Sequence, residues 1–228
     1  MKHIDYFKMQ AKNLMKDWIA KRISEESETL EAKYFDVERI TLDFNISDKE
    51  ITLMRAQHII AKIAGFSKWA ELVKVDNKRL GLVRSDFSSK HYLTEYNRIK
   101  SSLSYLKDLA LELYEVWKNR VLEDEEETDY GDVINWYHYD SNDWDVLGII
   151  VDFDFDEENF TIENAKAVVA YYAGDYKWER LEKASASELA LAKALVDNRR
   201  MVFVEDWIMY IGSCEDLNHK VFDADMKL

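Results

Sequence analysis

The chain has 228 residues with no proline, six glycines and one cysteine, and its formal net charge is −14. An average chain of this length carries about 11 prolines and about 16 glycines, so the composition argues against an all-β sandwich or barrel, which needs many tight turns, and against collagen-like or proline-rich sequence. The acidity disfavours direct nucleic-acid binding, which needs a basic surface, and leaves basic proteins or metal ions as partners.

The N-terminal stretch Met1 to Ala20 has its apolar residues interrupted by Lys2, Lys8, Lys12 and Lys16, unlike the apolar core of a signal peptide. No apolar run is long enough to span a membrane. The lone Cys214 rules out an internal disulfide framework and suits a reducing compartment. A cytoplasmic protein is expected, with 47% apolar residues to build a core and helix as the default element.

In chain order, Ile4, Phe7, Ala11, Leu14 and Trp18 are spaced 3, 4, 3 and 4 and predict one face of a helix over about 3–22. An acidic linker follows. Ile40, Leu42, Phe44 and Ile46 alternate and predict a strand with one buried face. A helix then begins near Thr52 as cap, or earlier through a Ser47–Glu50 capping box, and ends at Gly65. Trp69 and Leu72 mark a short helix, and another starts near Asp76. The series then recurs. Tyr92, Tyr96, Ile99, Leu103, Leu106, Ala110, Leu113 and Trp117 predict a helix of roughly 30 residues over 90–122. Ile149, Val151, Phe153 and Phe155 predict a strand, and a helix runs from Thr161 to Gly174. Trp178 and Leu181 mark a short helix, and Ser185 with Glu188 caps the next. Beyond it, Met201 to Val204 predicts a short strand and Trp207, Ile208 and Ile211 an amphipathic helix, while the tail after Asn218 has no pattern.

Laid without a gap on residues 145–192, residues 36–83 match at 16 of 48 positions, where chance gives about three. The expected fold is mainly α with minor β, built from two diverged copies of a helix–strand–helix–short helix–helix unit related by a pseudo-two-fold. The copies are expected at 1–88 and 89–198, followed by an extension at 199–228. The expected repeat core is Gly65, Trp69 and Leu72 in copy one and Gly174, Trp178 and Leu181 in copy two. Copy two carries ten extra residues, within about 118–143.

The pattern Ala56-x4-Ala61-x3-Gly65-Phe66-x2-Trp69-x2-Leu72 resembles a short helical module near the N-termini of some bacterial ankyrin-repeat and glyoxalase-like proteins. The resemblance covers about twenty residues, and copy two departs from it with Asp175 in place of Phe66. Nothing downstream resembles an ankyrin array or a glyoxalase metal site, so the resemblance implies a helical module and no activity. The same Ala-x3-Gly corner suits a DNA-reading helix pair only if its second helix meets phosphate, and the mixed charge of Lys68, Glu71 and Lys74 around Trp69 suits packing instead.

Two constellations carry chemistry. Asp152, Asp154 and Asp156 with Glu163 at the twelfth place imitate a calcium loop, although Glu157 stands where the sharp turn wants glycine. In the inserted segment, Glu123, Asp124, Glu125, Glu126, Glu127 and Asp129 are followed by Trp136, Tyr137 and Tyr139, acids beside the aromatic types enriched at binding hot spots. The five histidines form no ligand spacing, and no phosphate loop, dinucleotide turn or nucleophile elbow is present. The reading is therefore a non-enzymatic interaction module that needs no cofactor, with a protein partner, basic proteins among the candidates, held by residues 123–144. Its rivals are an acidic nucleic-acid mimic that blocks a DNA-binding protein, and an enzyme with a cleft between the copies.

Overall fold

A computed structural model describes residues 3–26, 32–46, 51–127, 133–141, 143–174 and 177–227. The protein is mainly helical, with a small two-stranded sheet. No helix among the described residues is long and apolar enough to cross a membrane. The chain forms two compact units, one of residues 1–105 with 184–190 and one of residues 106–183 with 191–228.

In the first unit, α1 (His3–Glu26) packs against α3 (Leu53–Ile63) and α5 (Asn77–Ser88). The predicted stripe of α1 is the buried one, with Phe7, Ala11, Leu14 and Trp18 in the core beside Ile60, Leu72 and Phe87. Tyr6, Phe7 and Phe87 meet edge to face at 5.2 to 6.0 Å, the geometry favoured by ring quadrupoles. The same helix buries polar groups that find partners. The Asp17 carboxylate accepts the backbone N–H groups of Lys33, Tyr34 and Phe35 at 3.1, 2.6 and 2.7 Å, pinning the returning chain to α1. Gln10 and Asn97 exchange side-chain amide hydrogen bonds. The fully buried Arg84 lies 4.6 Å over the Tyr6 ring and donates to the Ser104 hydroxyl at 2.9 Å.

The alternating segments are helices, not strands. They form α2 (Val37–Asp43) and α7 (Val146–Asp152). Asp36 and Asp145 cap them, each accepting a backbone N–H three residues on, from Arg39 and Gly148. Helical spacing buries Val37 and Ile40, or Val146, Ile149 and Ile150, and leaves Leu42 79% exposed. Each helix closes on a left-handed residue, Asn45 at φ 47° or Asp154 at φ 52°. The next N–H reaches back five residues, from Ile46 to Thr41 and from Phe155 to Ile150. The tail residues Ile46 and Phe155 thus return to the unit after the helix ends, which produces the alternation seen in the sequence.

The remaining elements follow their caps. Thr52 and Thr161 start α3 and α8 (Ile162–Tyr172), which close on Gly65 at φ 86° and Gly174 at φ 108°. Leu72 on α4 (Trp69–Val73) and Leu181 on α9 (Trp178–Leu181) are fully buried, Trp178 is buried and Trp69 half-buried. Asp76 caps α5, and Ser185 with Glu188 forms the expected capping box of α10 (Ala186–Asp197). The bounds of α2, α3 and α5 recur 109 residues later in α7, α8 and α10. The Ser47–Glu50 box lies outside the described residues.

Three further expectations change. The second long helix, α6 (Glu95–Lys118), begins only after Thr94, whose hydroxyl accepts the Asn97 N–H, because Asp36 donates its backbone N–H to the Tyr92 carbonyl and Phe35 bridges to Leu93, holding the preceding turn out of the helix. Met201 to Val204 is not a strand: N–H groups of Met201 and Val202 close a turn on the Asn198 carbonyl, and Val204 already belongs to the next helix. The last amphipathic stretch grows to α11 (Val204–Asn218), with a short α12 (Ala224–Lys227) in the tail.

Burial raises the Tyr6 phenol from 10.0 to about 12. Between those values the unfolded chain releases the proton first, so stability falls as pH rises, by about 1.4 kcal/mol per pH unit at the steepest. Urea unfolding at pH 10 and pH 11.5 is expected to show this loss in the wild type, with the Tyr6→Phe variant flatter by that amount.

Candidate functional site

The inserted segment folds into an antiparallel hairpin of β1 (Val121–Glu127) and β2 (Val133–His138). Glutamate is a poor strand former, so β1 borrows its conformation from β2, whose valine, isoleucine, tryptophan and tyrosine suit a pleated ladder. A bulge between Leu122 and Asp124 shifts the register, which pairs Leu122 with Tyr137, Asp124 with Trp136 and Glu125 with Asn135.

One face of β2 is anchored. The Arg120 guanidinium lies 4.3 Å over the Trp117 ring and 4.4 Å over the Tyr137 ring, and pairs with the Glu158 carboxylate at 3.4 Å. Glu158 also accepts the Tyr137 hydroxyl at 2.9 Å, and Glu157 accepts the Tyr139 hydroxyl. The Trp117 indole donates to the Glu157 carbonyl at 2.7 Å. The hydrogen bond to Glu158 pushes the Tyr137 phenol upward, and burial together with Glu157 does the same to Tyr139, so both hydroxyls stay protonated donors.

The other face is open. Trp136 is 52% exposed and the exposed Asp124 and Glu126 share its side of the ladder; Glu123 at the bulge is exposed too, whereas Glu125, also exposed, opposes Asn135 on the anchored side. His138 lies 3.5 Å from Glu123. Glu127 closes β1, and Asp129 lies outside the described residues. Beside the hairpin base an open hollow of about 330 Å³ is walled by Tyr137, Tyr139, Trp144, Asp145 and Arg200. Its floor is stiff, because Arg199 stacks 3.9 Å over Trp144 while donating to the carbonyls of Val196 and Asp143.

The calcium-loop acids do not converge. Asp152 is the last residue of α7, and Asp154 is its left-handed terminus. Asp156 accepts from Glu158 N–H and the Asn159 amide, and Glu163 pairs with Lys166 at 2.7 Å. Among the described residues, no three His, Cys, Asp or Glu side chains are grouped to hold a metal ion. A helix end occupies the place where a calcium loop would turn.

The sequence reading missed Arg120, Glu157, Glu158 and Arg199, the residues that hold the hairpin and the hollow. Only Arg120 carried a local signal, as one of two cations, with Lys118, between Trp117 and six acids. Compared with protein-family models, curated proteins and solved structures, the chain matches none.

Replacing Arg120 by Ala is expected to free the hairpin while the helical core stays folded. Hydrogen exchange at Asn135 to His138 should quicken at least about tenfold with little change at α8, consistent with loss of roughly 1.4 kcal/mol or more of local anchoring. Arg120→Lys should restore little of it, since an ammonium cannot lie flat between two rings.

Proposed function

We propose that this protein is a non-enzymatic, cytoplasmic protein–protein interaction module made of two diverged copies of one helical unit, and that it takes a basic partner on the open face of its hairpin. The recurrence of helix bounds at the same 109-residue offset as the sequence match supports the duplication. One observation carries the contact: an anchored hairpin holds three exposed acids, Glu123, Asp124 and Glu126, on the face of a half-exposed tryptophan, with an aromatic-walled hollow at its base. Exposed acids raise the encounter rate with a basic surface, and Trp136 supplies rigid apolar area at small entropic cost. The hollow fits one anchoring side chain of the partner. Copy one lacks the ten extra residues of the inserted segment, so this activity belongs to copy two.

Pull-downs from the source cell with the tagged wild type and with the E123Q/D124N/E125Q/E126Q variant test this reading. The variant is expected to lose the main partner while its circular dichroism melt stays unchanged. Recovery of the same partner at the same yield would sink the proposal.

A second reading draws on strand geometry. Side chains of an antiparallel strand alternate between its faces, so same-face acids such as Asp124 and Glu126 stand about 6.8 Å apart, two axial charge spacings of one DNA strand. In this reading the acids of β1 occupy a groove on a nucleic-acid-binding protein. The captured partner should then release this chain when double-stranded DNA is added, and a partner indifferent to DNA excludes it.

A further inference from the structure

Helix α11 has 15 residues and buries only one of them, Val204. Its apolar residues are nonetheless ordered. Phe203, Trp207, Tyr210, Cys214 and Leu217 are spaced 4, 3, 4 and 3, the a/d rhythm of a coiled-coil seam. Phe203, Tyr210 and Leu217 are 70%, 67% and 81% exposed, and Trp207 and Cys214 are half-buried. So large an apolar stripe on a strongly charged chain marks an interaction surface.

The charges around the seam indicate what covers it. Glu205 and Asp206 lie in the first turn, and His219 and Lys220 directly follow the last. Parallel pairing with the same helix sets acid against acid. Antiparallel pairing brings Asp206 toward the partner's Lys220 at both ends through one two-fold axis level with Gly212. The same register stacks Trp207 on the partner's Leu217 and Tyr210 on the partner's Cys214, with Phe203 flanking these layers just before the helix. Gly212 lies off the seam, with open space where a Cβ would stand.

We propose that α11 pairs with α11 of a second copy of this chain as a short antiparallel coiled coil. The helix spans about 22 Å, a small contact, so the dimer should be reversible, with a Kd on the order of 10 μM.

Sedimentation equilibrium up to about 100 μM tests it, starting from a 27.0 kDa monomer. The wild type is expected to approach twice that mass. Y210E/L217E should weaken association at least about tenfold with unchanged helix content, since both side chains are exposed in the single chain. D206K should also weaken it, and D206K/K220D should recover to within about threefold of the wild type. A wild type that stays monomeric, or a dimer indifferent to Y210E/L217E, overturns the proposal. A double charge exchange no better than D206K alone overturns the antiparallel pairing.

Discussion

Each helix end leaves backbone N–H or C=O groups without intrahelical partners, and this chain has no proline and few glycines with which to shape those ends. Side chains therefore do the work. Asp36, Thr52, Asp76, Asp145, Thr161 and Ser185 each accept a backbone N–H at a helix start. At the other end, Asn45 and Asp154 take the left-handed conformation that Gly65 and Gly174 take elsewhere. The buried Asp17 performs the same service for three N–H groups of a returning loop, of which that of the buried Phe35 would otherwise be left unpaired in the core. Each cap contributes about 1 kcal/mol, and without Asp36 and Asp145 the seven-residue helices α2 and α7 are below the length that sustains itself.

This constraint explains which parts of the fold were legible in the sequence. Caps at Thr52, Thr161, Asp76 and Ser185 and the glycine stops stood out because those residue types have few other uses at such spacing. Asp36 and Asp145 were equally informative but were masked by alternation downstream. Ile40, Leu42, Phe44 and Ile46 have strand periodicity, yet Leu42 faces water and Ile46 is placed by a left-handed turn after the helix ends. A period of two over four apolar residues is too short to separate a strand from one helical turn plus a tail. The start of α6 was misplaced for a related reason: Tyr92 continues the helical stripe by spacing, while its carbonyl is already taken by Asp36.

The candidate site was legible as composition and illegible as geometry. Six acids followed by aromatics identified the inserted segment, but not that it forms a hairpin. The residues that fix it come from elsewhere: Arg120 and Trp117 at the end of α6, and Glu157 and Glu158 after α7. Those partners lie about 20 to 40 residues from the tyrosines and carbonyls they hold, beyond any local pattern. The same anchoring makes the open face usable. A free acidic strand would collapse into a solvated loop; tied down on one side, it keeps Trp136 and its neighbouring acids in a fixed array and lowers the ordering cost of binding.

The two surfaces proposed for association obey opposite electrostatics. The hairpin attracts through unlike charge, so added salt screens the attraction and weakens it. The α11 seam brings together two chains that each carry −14. Its two ion pairs are short-ranged, whereas the mutual repulsion involves every acid within a Debye length of about 10 Å at 0.1 M salt. Screening therefore removes more repulsion than attraction, while the apolar layers are unaffected or strengthened. Self-pairing should rise with ionic strength over the range in which capture of a basic partner falls. A chain with this charge can thus use one property, its acidity, both to hold copies apart at low salt and to draw in an unlike protein.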